Sequence, residues 1–528
     1  MLDIKILLGL LFVVAVLAVV AQRLGVPYAI LLVLGGLVLS FVPGLPRVEI
    51  EPELIFLVFL PPLVTSAAWY LPWCDFRANL RPILLLATGL VLATTFGVAA
   101  MAHATINGFT WPAAFVLGAV VSPTDPVAAT AIFQRLRIPR RLVTILESES
   151  LVNDATGLVA YRFAAAAGVT GMFSIWEASW RFFWVVIGGV IIGLLLGWIV
   201  AWIHRRLDDP PVEITLTILM SYATYLLAEQ FGVSGVLAAM TVGIYHRWRS
   251  PELLSPRARM QAIAVWEIIV FLFNGLIFIL IGLQLPSILD DISGQLSATT
   301  LVWDAVLISA TVIGVRLLWV FPATYIPLML SRRLRESDPY PPWQQVLLVS
   351  WTGMRGVLSL AAALALPLTT NQSTAFPGRD LIIFLTFCVI LVTLVLQGLT
   401  LPLLIRWLKL TVDIGTEREE MEARLWAAQA ALARLDELTA QDNVLAKAEM
   451  VEWLRTMYKE RIRRFSACCD VMNNGSSEQL AAFEDLQHEV LAAERRTVVQ
   501  LRNQGAIHEE VMLRIERDLD LDTVRLGG

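Results

Sequence analysis

The chain has 528 residues, 57% of them apolar and only 16% charged, with a formal net charge of −5 and a mean hydropathy of +0.69. That balance excludes a soluble protein of this size and requires a lipid-facing surface. Residues 411–528 carry 23 acids and 15 bases, and residues 1–410 carry 25 bases against 22 acids, so neither region offers the broad basic face that nucleic acid needs.

The charge segregation predicts two regions: a membrane domain over residues 1–410 and a helical tail over 411–528. Apolar stretches of membrane-crossing length fall at about 4–21, 27–42, 53–70, 82–103, 112–133, 142–166, 180–203, 212–230, 233–245, 262–284, 300–329, 345–368 and 380–405. The expected fold is therefore an all-α polytopic membrane protein with about 13 transmembrane helices. The first stretch lacks the basic start of a secretory signal and has the length of a full span, so it is read as a helix that stays in the membrane.

Connections between these stretches alternate in Lys and Arg content, which sets orientation. One set holds sixteen arginines: Arg23, Arg77, Arg81, Arg135, Arg137, Arg140, Arg141, Arg205, Arg206, Arg247, Arg249, Arg257, Arg259, Arg332, Arg333 and Arg335. The alternate set holds three, Arg47, Arg181 and Arg379. The asymmetry predicts an N-terminus outside and a cytoplasmic tail, in a cell inner (plasma) membrane.

The fifth span reads VVSPTDPVAATAIF, with Asp125 between Pro123 and Pro126. Two missing backbone donors disfavour regular helix around Thr124 and leave carbonyls and helix ends at mid-membrane depth, the usual material of an ion site. The sixth span, ILESESLVNDATGLVAYRF, puts Glu147, Ser150 and Asp154 on one helical face and Glu149 with Asn153 on the next. Acids inside hydrocarbon are functional candidates unless paired. Glu147 and Glu149 have a second reading, as answers to the arginines at 135–141, and Asp154 is the strongest candidate.

Arg316 lies in the middle of the eleventh span, where a structural ion pair is the expected role. The twelfth span sets Arg355 between Gly353 and Gly356, which predicts a second interrupted helix. The two interruptions lie seven spans apart, a spacing that suits inverted six-helix repeats with one extra span between them. The tail reads as amphipathic helix from Glu417, followed by helices near 441–470 and 478–503 around the Asn473–Ser477 linker. Its expected role is regulatory or dimer-stabilising, with a plain solvated appendage as the other reading.

No P-loop is present, so ATP does not drive the chemistry, and the five histidines and four cysteines show no metal-ligand spacing. An intramembrane aspartyl protease would need a different setting for Asp125 than two flanking prolines, and a sensor without transport leaves the acidic spans unexplained.

The motifs FLPPL at 59–63, SPTDPVAA at 122–129, ESLVNDA at 149–155, GVSGVLAAMTVG at 232–243, FNGLIFILIGLQL at 273–285 and GMRG at 353–356, together with Arg316, resemble those of bacterial sodium/proton antiporters of the monovalent cation:proton antiporter family, relatives of the eukaryotic sodium/proton exchangers. The likeness covers residues 1–410. It implies that Asp154 is the principal carboxylate for ion and proton, that Asp125 and Thr124 build the cation site, and that Ser150 adds an oxygen. Na+ would then sit at Asp125 and Asp154, with no cofactor. It also implies that Glu149 pairs with Arg316 in support, that Asn153 marks electroneutral one-for-one exchange, and that a mobile bundle moves against a homodimeric scaffold. One departure stands out: many relatives carry an acid where this chain has Ser66. A K+/H+ antiporter on the same scaffold is the alternative reading.

Overall fold

A computed structural model describes residues 4–42, 53, 55–136, 138–170, 175–292, 297–337, 340–369, 376–409, 415–440 and 448–473, with single positions and short runs between 490 and 520. It separates into two compact units, Met1–Val412 and Asp413–Gly528.

Helix boundaries in the first unit follow its punctuation. Pro27 precedes α2 (Tyr28–Ser40), while α1 is Ile4–Leu24 and α3 runs over Ile55–Tyr70, opening with a wider π-turn. After α4 (Leu80–Thr105), α5 (Trp111–Val120) starts with Pro112 in its first turn, where a missing N–H costs nothing. The chain then breaks and resumes as α6 (Val127–Leu136), followed by α7 (Arg140–Thr170) and α8 (Ile175–His204). Next come α9 (Pro210–Gln230), α10 (Gly235–Leu253), α11 (Pro256–Leu283) and α12 (Ala298–Leu330). The hydroxyls of Ser234, Ser255 and Ser297 accept from the amides of Leu237, Ala258 and Thr300, capping these last three. A second break separates α13 (Trp343–Trp351) from α14 (Val357–Leu364), and α15 spans Arg379–Leu408.

Each of the thirteen apolar stretches falls on one of these helices or on a broken pair. Among the described residues, seven segments are long and apolar enough by length and composition alone to cross a membrane: 5–24, 80–105, 180–204, 210–230, 256–290, 298–330 and 379–408. Two stretches extend well past their expected ends, to 170 in α7 and 253 in α10. In α10 the polar run from His246 to Glu252 continues the helix because backbone hydrogen bonds, unlike hydropathy, do not stop at a charged side chain.

Large apolar side chains point outward, among them Phe12, Trp184, Trp198, Trp303 and Leu318, the pattern of a surface solvated by lipid. Helices meet where small residues allow it. α2 and α11 cross at Gly36 and Gly282, where a Cβ on either would run into the other's backbone. α7 packs beside α5, and its Gly157 lies against Pro123 of the first break, where a Cβ would strike the proline ring.

In the second unit, α16 (Gly415–Ala440) and α17 (Ala448–Asn473) pack together, with Arg455 Nη2 on Asp436 at 2.8 Å. The expected third tail helix, near 478–503, lies largely outside the described residues. So do Arg47 and Arg137, and the side chains of Arg333, Cys468 and Cys469.

Candidate ion-binding site

The two breaks lie against one another. In the first, Ser122–Pro126 leaves the helical path, and Asp125 re-enters it by accepting the Val127 amide on Oδ1 at 2.9 Å, the capping bond that opens α6. The Asp125 amide donates to the carbonyl of Met354 at 2.8 Å, inside the second break. The link is returned by Arg355, whose Nη1 donates to the Ser122 carbonyl at 2.6 Å and whose amide donates to Thr393 Oγ1 at 3.1 Å. Gly356 caps α14 without any side-chain bond, and a Cβ there would strike the Asp125 carboxylate. Only glycine lets that carboxylate approach the α14 N-terminus, so Asp125 lies close to the positive ends of two short helices at once.

α7 supplies the opposite wall. Ser150 Oγ donates to the Thr124 carbonyl at 2.8 Å, Asn153 Nδ2 donates to Thr124 Oγ1 at 2.7 Å, and that hydroxyl donates to Glu149 Oε1 at 3.1 Å. Three side chains from one helix thus pin a single residue of the break. Glu149 in turn takes a two-pronged bond from Arg316 at 2.5 and 2.9 Å, with both side chains essentially sealed from solvent. Arg316 spends its remaining donors on the Val349 carbonyl at 3.2 and 3.1 Å, one of the orphan acceptors at the end of α13. Every nitrogen of Arg316 and both oxygens of Glu149 thus have a partner, which a buried ion pair requires to be tolerated.

Asp154, one turn beyond Ser150, has no hydrogen-bond or ion-pair partner among the described residues. It is half-buried and lines a cavity of about 720 Å³ together with Asp125, Thr124 and Ser150. Glu147, Thr130, Ser66, Tyr28, Glu267, Asn274 and Ser359 share that lining. Asn153 and Arg316 stand behind it, and Arg355 is fully buried with Nε and Nη2 unpartnered among the described residues.

The structure brings Asp125, Thr124, Glu149, Ser150 and Asn153 together at the breaks and sets Asp154 on the cavity that Asp125, Thr124 and Ser150 line, with Arg316 and Arg355 bonded to the group from behind. Sequence reasoning gave no role to Glu267, Asn274, Tyr28, Thr130 or Ser359. Asn274 stood inside a quoted motif, and a polar amide within an apolar span was the signal available for it.

Comparison with known proteins points the same way. The family described as "Sodium/hydrogen exchanger, transmembrane" matches residues 9–407. A protein of Mycobacterium tuberculosis called an uncharacterised Na(+)/H(+) exchanger is 36% identical over 98% of this chain and 96% of its own. A Bacillus pumilus protein named a sodium, potassium, lithium and rubidium/H(+) antiporter is 35% identical over 78% of this chain and 62% of its own. The fold is similar to that of the sodium proton antiporter MjNhaP1 from Methanocaldococcus jannaschii, with a TM-score of 0.60 at 20% identity over 77% of this chain and 98% of that one.

Proposed function

The chain belongs to the sodium/hydrogen exchanger family and is a secondary transporter rather than an enzyme, and from that premise we propose that it exchanges Na+ for H+ one for one at Asp154. The observation that carries this reading is the unpartnered Asp154 carboxylate on a cavity shared with Asp125. A carboxylate with no protein partner is the group left to take a cation or a proton from water.

Charge balance supports the stoichiometry. Glu149 and Arg316 cancel each other. Nearest the two breaks, Asp125 and Asp154 bring two negative charges and Arg355 one positive; Glu147, two turns before Asp154 on α7, and Glu267 line the same cavity and are counted with its entrance. One Na+ or one H+ brings this set to neutrality, and the two together overshoot it. Burial disfavours net charge, so loading by either is favoured and the unloaded set crosses poorly.

Na+ is a hard cation that exchanges hydration oxygens for protein ones. Asp154, Asp125, Ser150 and Thr124 offer such oxygens, and Asn153 adds polarity without a titratable charge. Arg355 is the fixed counter-charge between the two breaks. Thirteen crossings with inverted repeats, an outside N-terminus, a cytoplasmic tail and a homodimer complete the proposal, with the two broken helices moving together to expose the site alternately. Tyr28, Tyr70, Glu147 and Glu267 line the cavity toward the arginine-rich ends of their helices, while the opposite end of α3 contributes the apolar Ile55, so the polar part of the lining favours an opening on the arginine-rich side. The tail is assigned a regulatory or dimer-stabilising role.

K+ as the driven ion is a second reading, favoured by the name of the Bacillus relative. Dye dequenching in everted vesicles separates the two when Na+, Li+ and K+ are added in turn. The expected result is Na+-driven proton movement, with a half-saturating Na+ that rises as pH falls, and loss of it in Asp154→Asn that still inserts. Undiminished exchange in Asp154→Asn would reject the assignment.

A further inference from the structure

Ser359 occupies the third position of α14, just past the second break. A serine inside a helix ordinarily gives its proton to the carbonyl four residues earlier. Here that residue is Arg355, which lies in the non-helical break, and the Ser359 hydroxyl finds no partner among the described residues. It is also 1% exposed, a setting in which a lone hydroxyl is costly.

Among the described residues, the other aliphatic hydroxyls on the cavity are all engaged. Thr124 gives to Glu149, Ser150 to the Thr124 carbonyl, Ser66 to the Leu63 carbonyl and Thr130 to the Pro126 carbonyl. Ser359 alone among them keeps both its proton and its lone pairs. It sits less than one turn from Gly356, the residue pressed against the Asp125 carboxylate. An uncommitted hydroxyl has two uses in such a place: its oxygen faces a metal ion, or its proton faces a carboxylate.

We infer that Ser359 is a further oxygen of the cation site, supplied by the second broken helix and used when the wall of the cavity closes on the ion. This rests on the exchange reading given above. With it, both broken helices touch the cation, Thr124 and Asp125 from one and Ser359 from the other, so ion occupancy is coupled to their relative position.

The test is Na+ and Li+ titration of dye dequenching in everted vesicles carrying wild type, Ser359→Ala or Ser359→Thr. Loss of one uncharged ligand raises the half-saturating Na+ about fivefold with little change in maximal rate, and threonine restores it. If the alanine variant inserts poorly, Ser359→Cys serves in its place, because sulfur is a poor ligand for a hard cation. An unchanged half-saturation, or a lower maximal rate at unchanged half-saturation in both alanine and threonine variants, overturns the inference. Exchange that is lost in Asp154→Asn but untouched in Ser359→Ala overturns this inference alone. Wild-type vesicles without cation-driven dequenching overturn the exchange reading and this one with it.

Discussion

The amide of Asp125 donates to the carbonyl of Met354 at 2.8 Å, which fastens the two interrupted helices to each other through their own gaps. The gaps are thus a single object, held by backbone groups that no substitution of these two side chains removes. The residue most exposed to substitution is Gly356, whose missing Cβ leaves room for the Asp125 carboxylate.

Gly356→Ala is therefore expected to displace that carboxylate, with an overpacking cost of about 1–3 kcal/mol. Its backbone angles are ordinary extended ones, so the effect is steric rather than conformational. Na+-driven exchange in vesicles should fall at least ~10-fold, as a kcal-scale distortion at the site implies. Normal rates in the alanine variant would mean that Asp125 is free to move away without consequence.

Glu149 and Arg316 make the second prediction. Removing one partner strands a buried charge, at a cost of about 3–5 kcal/mol, whereas removing both together strands none. Glu149→Gln and Arg316→Met should each lower the melting temperature in detergent sharply, and the double variant should recover part of the loss. A double variant that shows the plain sum of the two single losses would contradict a direct pair.

Much of this was legible in the sequence, and the reasons differ by feature. Pro123 and Pro126 flank Asp125, and Gly353 and Gly356 flank Arg355, so backbone chemistry alone marked both breaks. The Glu149–Arg316 contact joins residues 167 positions apart. Periodicity has no access to such a distance, and the expectation came from resemblance to a family. Glu267, Asn274 and Ser359 were not singled out, because lining a cavity is a property of how helices pack, and an isolated Ser or Asn in an apolar span leaves no spacing to read. Ser359 in particular is distinguished only by a bond it does not make, which is invisible before its neighbours are placed.

The third prediction concerns stability apart from the site. Gly36 and Gly282 let α2 and α11 approach backbone to backbone. Gly282→Val should lower thermal stability by about 1–3 kcal/mol through overpacking, with the half-saturating Na+ of the surviving protein unchanged. A shift in half-saturation without a loss of stability would place this crossing in the transport pathway instead.

The fourth tests charge stoichiometry at Asn153. This side chain donates to Thr124 Oγ1 at 2.7 Å and carries no charge. Asn153→Asp replaces that donor with an acceptor, which must compete with Glu149 for the one Thr124 proton, and it adds a carboxylate to the set neutralised in each cycle. Wild-type exchange should be indifferent to an imposed membrane potential, and the aspartate variant should respond to it. A wild type that already follows the potential would show that the uncharged Asn153 does not fix one-for-one exchange.

Ser66 is where the family resemblance leads one to expect an acid, and its hydroxyl is turned back onto its own helix, donating to the Leu63 carbonyl at 3.0 Å. It lines the same cavity as Asp125, Asp154, Glu147 and Glu267, so Ser66→Glu adds a fifth carboxylate to that lining, within the field of the cation. At an effective dielectric near 20, opposite charges about 4 Å apart attract by roughly 4 kcal/mol. Dehydrating the new carboxylate and crowding it against the acids already there consumes much of that gain. A net of ~1.4 kcal/mol remains a reasonable expectation and corresponds to a tenfold lower half-saturating Na+. Tighter binding also slows release, so the maximal rate should fall as the half-saturating concentration does. Sodium titration of dye dequenching at fixed pH reads both quantities. A half-saturation that rises, with the maximal rate unchanged, would mean that the new carboxylate is answered by a protein cation rather than by Na+, and that Ser66 lies outside the ion's path.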